Sequence, residues 1–134
     1  MSLRSLLHRI RKLDAWLVPP AIGFVVFAEL THSGLVQALE FNIWDKALHC
    51  TAYLGLALMT TIAVRADRRA LWWALGLATL GGVLEIVQGM TGRDCDIYDE
   101  VANTLGVLLG LGIGWTGITL LKTRKVIEDV PPGD

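Results

Sequence analysis

The chain has 134 residues, of which 53% are hydrophobic and 19% charged, with a formal net charge of -1. That is one domain's worth of sequence with too little polar surface for a water-soluble globule, and it reads as an all-α integral membrane protein. With no basic face and no long acidic tail, nucleic acid is excluded as the expected partner.

In chain order, residues 2–13 set Leu3, Leu6, Leu7, Ile10 and Leu13 at helical spacing, with Arg4, His8, Arg9, Arg11 and Lys12 on the remaining face. This predicts a short basic amphipathic helix on the membrane surface, or else a frayed basic tail. Neither a secretory cleavage pattern nor a lipidation motif is visible, so this segment is expected to stay in the mature chain. The first apolar span is predicted over 16–32, with Pro19 and Pro20 near its start; a proline pair costs little in a first turn and kinks a helix further in.

A second span is predicted over 46–64 and a third over 70–89, opened by Trp72 and Trp73 at the position of an interfacial belt. A fourth covers 100–121, leaving 122–134 as a loose tail. Each is close to the ~20 residues that cross a hydrocarbon core of ~30 Å. The predicted architecture is a single domain, a bundle of four transmembrane helices. Ten of the 12 Lys and Arg fall before span one, between spans two and three, or after span four, leaving only Lys46 and Arg93 on the other side. The positive-inside rule then places both termini in the cytoplasm, in a multi-pass protein of the cytoplasmic membrane.

The polar residues converge on the outer face. Lys46, His49 and Tyr53 share one face of span two, with Asp45 one turn from His49, while Glu85 and Gln88 share a face of span three with Gly81. On span four Asp99, Asn103, Gly106, Gly110 and Gly117 align, a polar patch above a groove of small residues that suits close helix packing.

These residues resemble the VanZ-like family, small integral membrane proteins named after a factor associated with teicoplanin resistance. The family pattern is Asp-Lys-x-x-His with Tyr four residues on, then Glu-x-x-Gln, an Arg in the next loop, and Asp-x-x-x-Asn-x-x-Gly entering the last helix. Here the matching positions are Asp45, Lys46, His49, Tyr53, Glu85, Gln88, Arg93, Asp99, Asn103 and Gly106, with Asp96 a less uniform member. Cys50 stands where the family usually has an aromatic residue, and the first span, with Glu29 and His32, matches nothing in the pattern. The resemblance implies an association with glycopeptide resistance and no defined reaction.

The chemistry is therefore read from the cluster. Lys46 and Arg93 would give an anion two cationic partners, His49 offers an imidazole for acid–base work, and Asp45 or Glu85 could orient it. The expected site binds the head group of an amphiphile: a membrane lipid, a lipid-linked cell-wall precursor, a polyprenyl phosphate or a lipoglycopeptide. Asp45, Lys46, Tyr53, Gln88, Arg93, Asp96, Asp99 and Asn103 would hold it, and His49 and Glu85 would serve as acid and base if there is turnover. The competing readings are an ion-pair network that only holds helix ends in register, a divalent cation among Asp94, Asp96, Asp99 and Glu100 with His49, and a Cys95 nucleophile. No cofactor and no resident metal are expected. A Cys50–Cys95 disulfide is open to an oxidising compartment, with helical phase mildly against it.

Overall fold

The computed structural model describes residues 3–31, 42–91 and 96–124. Among these residues the protein is wholly helical: α1 (Leu3–Thr31), α2 (Asn42–Ala63), α3 (Arg69–Met90) and α4 (Ile97–Thr123). Hydrogen bonds and ion pairs join the end of α1, the start of α2, the end of α3 and the start of α4, so successive helices alternate in direction.

Three helices are long and apolar enough to cross a membrane, over His8–Thr31, Arg69–Met90 and Ile97–Thr123. Their outward faces expose large apolar side chains such as Phe24, Phe27, Leu75, Ile86, Leu108 and Ile113. A helix apolar on its outer side as well as its inner one is stable only when its surroundings are apolar too, which makes this a membrane protein. Helix α2 has the length, at 22 residues, but opens with Asp45, Lys46 and His49 and does not belong to that apolar set.

The N-terminal part differs from expectation. The amphipathic segment 2–13 and the first span 16–32 are one continuous helix of 29 residues, with Pro19 and Pro20 in its interior rather than in a first turn. Nothing between Lys12 and Trp16 breaks a helix, and both prolines face outward, away from the packed interior. A helix interior tolerates proline in lipid when neighbouring groups re-satisfy the freed carbonyls.

Helices α2 and α4 form the closest pair. A methyl group added at Gly106 or Gly110 would overlap the carbonyl oxygens of Cys50 and Leu54, and one at Gly114 would lie 2.9 Å from Thr61 Cβ. Backbone meets backbone along this seam because the side chains are missing there. Gly117, expected in the same row, has nothing within 4 Å and is exposed; Gly114 takes its place, because the seam follows the i, i+4 row of Gly106, Gly110 and Gly114, continued by buried Ile118. Tyr53, Leu56 and Ala57 of α2 pack with Ala74 and Leu77 of α3 and Val107 of α4 to form the core. The buried Thr60 and Thr61 hydroxyls both donate to the Ala57 carbonyl, at 3.0 and 2.7 Å, so they carry no polar cost.

The α2–α3 turn has its own logic. Ala66 N–H reaches back to Thr61 O and Arg65 N–H to Ile62 O, the pairing that closes a helix through a left-handed residue. Arg65 and Ala66 hold φ of 58° and 50° without being glycine. Asp67 then starts α3, accepting from Arg68 N–H at 2.6 Å and from Arg69 Nε at 3.1 Å. Helix α4 begins at Ile97, three residues earlier than expected, because the Asp96 carboxylate caps it by accepting from Tyr98 N–H at 2.9 Å.

Candidate functional site

At the end of the bundle opposite the α2–α3 turn, all four helices contribute polar side chains. Lys46 on α2 spans to α4, its Nζ 2.6 Å from Asp96 Oδ2 and 3.0 Å from Asp99 Oδ1. These are short charge-assisted bonds, and together they leave the ammonium with two carboxylate partners. The Lys46 ammonium, and after it the Tyr98 N–H, hold the Asp96 carboxyl below its ordinary range.

One turn deeper, His49 Nδ1 lies 3.1 Å from Asn103 Oδ1 on α4. With Asn103 presenting Oδ1, which can only accept, this contact is a hydrogen bond in the Nδ1–H tautomer, whose neutral ring has its lone pair at Nε2. Two carboxylates flank the ring without reaching it: Glu29 Oε1 is 3.6 Å from Nδ1 and Asp45 Oδ1 is 3.9 Å from Nε2. Both distances exceed a hydrogen bond.

Behind the ring the structure buries Glu85, Gln88, Asn103 and Tyr53. Gln88 Nε2 donates to the Glu29 backbone carbonyl at 2.9 Å, tying α3 to α1. Glu85 accepts from Asp96 N–H at 3.3 Å, a tie between the end of α3 and the start of α4. The Tyr53 hydroxyl lies among the carboxylates of Glu29, Glu85 and Glu100. Asn103 Nδ2 and Glu100 Oε2 are buried without a hydrogen-bond partner among the described residues, and both abut Gly81, where a Cβ would come within 3.0 and 2.6 Å of them.

A cavity of about 250 Å³ opens beside His49. Its lining combines polar Glu29, Asp45, His49 and Gln88 with apolar Phe24, Val25, Ala28, Leu48 and Ala52.

Nine of the ten predicted site residues are described, and the structure gathers them at this one end: Asp45, Lys46, His49, Tyr53, Glu85, Gln88, Asp96, Asp99 and Asn103. They divide by role. Asp45, His49 and Gln88 face the cavity, Lys46, Asp96 and Asp99 pair with one another, and Glu85, Tyr53 and Asn103 sit behind the cavity wall. Arg93 lies outside the described residues, as do Asp94 and Cys95, so the anion pair Lys46/Arg93, the loop metal set and the Cys50–Cys95 disulfide fall there too. Asp45, His49 and Asp99 do bring ligand atoms within 4.8 Å of one another. The Lys46 ammonium on Asp99 works against a divalent cation at that place.

Glu29 is the residue that sequence reasoning missed. It lies in the span that matched no motif, yet it lines the cavity and faces His49. A lone carboxylate late in an apolar run was the available signal.

No family model matches the chain, and no solved structure does. Among curated proteins it is similar to formate hydrogenlyase subunit 3 of Escherichia coli (strain K12), at 30% identity over 90% of this chain. The chain spans about a fifth of that relative, 22% of its length.

Proposed function

We propose that this is a VanZ-like protein of the cytoplasmic membrane, crossing it four times with both termini inside, and that it binds an amphiphile at its outer face. The observation that carries the reading is the cavity's mixed lining. Its polar residues Glu29, Asp45, His49 and Gln88 suit a head group, and its apolar residues Phe24, Val25, Ala28, Leu48 and Ala52 suit the tail of a lipid-linked or lipidated ligand. The basic residues of the α2–α3 turn and of the end of α4 gather at the opposite end, which supports the inside assignment. Helix α2 supplies the fourth crossing because its polar start is covered by Asp96, Asp99 and Asn103 rather than by lipid.

Binding is favoured over turnover. Glu85, one of the two groups expected to move a proton, does not line the cavity and is engaged by the Asp96 backbone. His49→Gln keeps hydrogen bonding but cannot become cationic, so a binding protein survives it and an acid-base enzyme does not.

The test is native mass spectrometry of the purified protein with its co-purifying lipids, comparing wild type with Ala28→Phe, which fills the cavity. A lipid retained by wild type and lost from a helical, folded variant is the expected result. The same lipid profile in both proteins would sink the proposal.

A second reading rests on the similarity to a formate hydrogenlyase subunit: a part in a larger assembly. Affinity purification of the tagged chain from membranes in mild detergent, with stoichiometric partner subunits recovered, would favour it.

A further inference from the structure

We infer that the head group taken by this cavity is a primary ammonium, an inference that rests on the amphiphile reading above and names the class of ligand. The polar residues of the lining offer acceptors. Glu29 and Asp45 are carboxylates, and among the described residues no Lys or Arg lines the cavity. One of the two Gln88 amide hydrogens is engaged by the Glu29 carbonyl at 2.9 Å, and its Oε1 is an acceptor. His49 gives its Nδ1 proton to Asn103, which leaves Nε2 as a third acceptor.

The spacing of these acceptors calls for a donor between them. His49 Nε2 and Asp45 Oδ1 stand 3.9 Å apart, too far to bond and near enough to be bridged by one nitrogen at hydrogen-bond distance from each. Glu29 Oε1 approaches the same ring at 3.6 Å from its other nitrogen. An ammonium can donate to both His49 Nε2 and Asp45, whereas a phosphate, which offers only acceptors, meets acceptors.

The protein already builds this arrangement once. Lys46 places its own ammonium between Asp96 and Asp99 at 2.6 and 3.0 Å. That pairing also engages the lysine that would otherwise attract a phosphate. The apolar residues Phe24, Val25, Ala28, Leu48 and Ala52 then take a single chain attached to the ammonium.

The experiment uses the full chain in nanodiscs of choline phospholipid, titrated with four probes of one chain length: dodecylamine, dodecyltrimethylammonium, dodecyl phosphate and dodecanol. Dodecylamine is expected to bind at least about tenfold more tightly than the others, the equivalent of one charge-assisted hydrogen bond. The quaternary probe keeps the charge and loses the N–H donors, so equal binding of the two cations overturns the inference. Dodecyl phosphate binding as tightly as the amine overturns it too, while leaving the amphiphile reading intact. If none of the four binds to folded protein, both fail.

The ranking in the wild-type protein needs no variant. Asp45→Asn should weaken the amine alone by about tenfold, and Asp67→Asn, at the other end of the bundle, should not. Replacing the nanodisc lipid with ethanolamine phospholipid identifies the source. Displacement of dodecylamine assigns the site to a membrane lipid's amine, and undiminished binding assigns it to a separate lipidated amine.

Discussion

His49 on α2 gives its Nδ1 proton to the Oδ1 of Asn103 on α4 across 3.1 Å, and Asn103 is completely buried. The imidazole is therefore oriented by a group that solvent does not reach, and its second nitrogen is aimed at Asp45. The helix seam that holds the bundle together also sets the tautomer of its most versatile side chain.

Asn103→Leu should release that tautomer. In protein with 15N-labelled histidine, the neutral His49 ring of wild type is expected to show a protonated Nδ1, and the variant a mixture or a protonated Nε2. Ring shifts unchanged by the substitution would show that Asn103 does not hold the ring.

The glycine row makes a sharp contrast between neighbouring positions. Gly110→Ala puts a methyl group into the Leu54 carbonyl and should destabilise the bundle by about 1–3 kcal/mol. Gly117→Ala meets nothing within 4 Å and should be neutral or slightly stabilising. Thermal unfolding in detergent separates the two, and equal midpoints would contradict the α2–α4 packing.

Lys46→Met removes the partner of Asp99, which is buried, and should lower stability by roughly 2 kcal/mol. The double variant Lys46→Met, Asp99→Asn should recover much of that loss, because the penalty arises from the unpaired carboxylate. Additive losses in the double variant would argue against direct pairing.

Stability should also depend on acid in a defined direction. Asp96 is held below its ordinary range by the Lys46 ammonium and the Tyr98 N–H. A carboxyl depressed in the folded state stabilises at every pH above its unfolded value of ~4, and that contribution is lost as pH falls through the lower folded value. The Asp96 contribution, read as the difference in unfolding midpoint between wild type and Asp96→Asn, should be flat from about pH 7 to pH 5 and shrink below about pH 4. Asp96→Asn keeps the helix cap; an identical acid profile in the two proteins would remove Asp96 as a source of acid sensitivity.

Ala66→Gly tests the turn between α2 and α3. At φ 50° the alanine Cβ is strained, so glycine should raise stability by about 0.5–1 kcal/mol after its greater unfolded entropy is set against the relief. A lower midpoint would mean that the strain is already relaxed.

Most of the architecture was legible in the chain itself. Three apolar runs of sufficient length determined three membrane-competent helices, and the alignment of Glu85 with Gln88 and of Asp99 with Asn103 placed polar groups on inward faces. These are short-range consequences of the 3.6-residue repeat and of hydrocarbon thickness, and they need no knowledge of neighbours. The same logic misjudged Leu3–Thr31, because a surface helix and a span read as separate elements unless the absence of any breaker between them is weighed.

Tertiary structure alone decided how the charges are divided. Lys46 read either as a cation for an anionic ligand or as one member of an ion-pair network, and α4 brings Asp96 and Asp99 to it from some fifty residues away. Glu29 read as an isolated carboxylate, but the packing of α1 against α2 turns it towards His49 and into the cavity. Helical periodicity says which face a residue occupies, and only the packing of one face on another says which charge it meets. For this protein that second fact is the ground on which we propose a hydrogen-bond donor rather than an anion as the ligand.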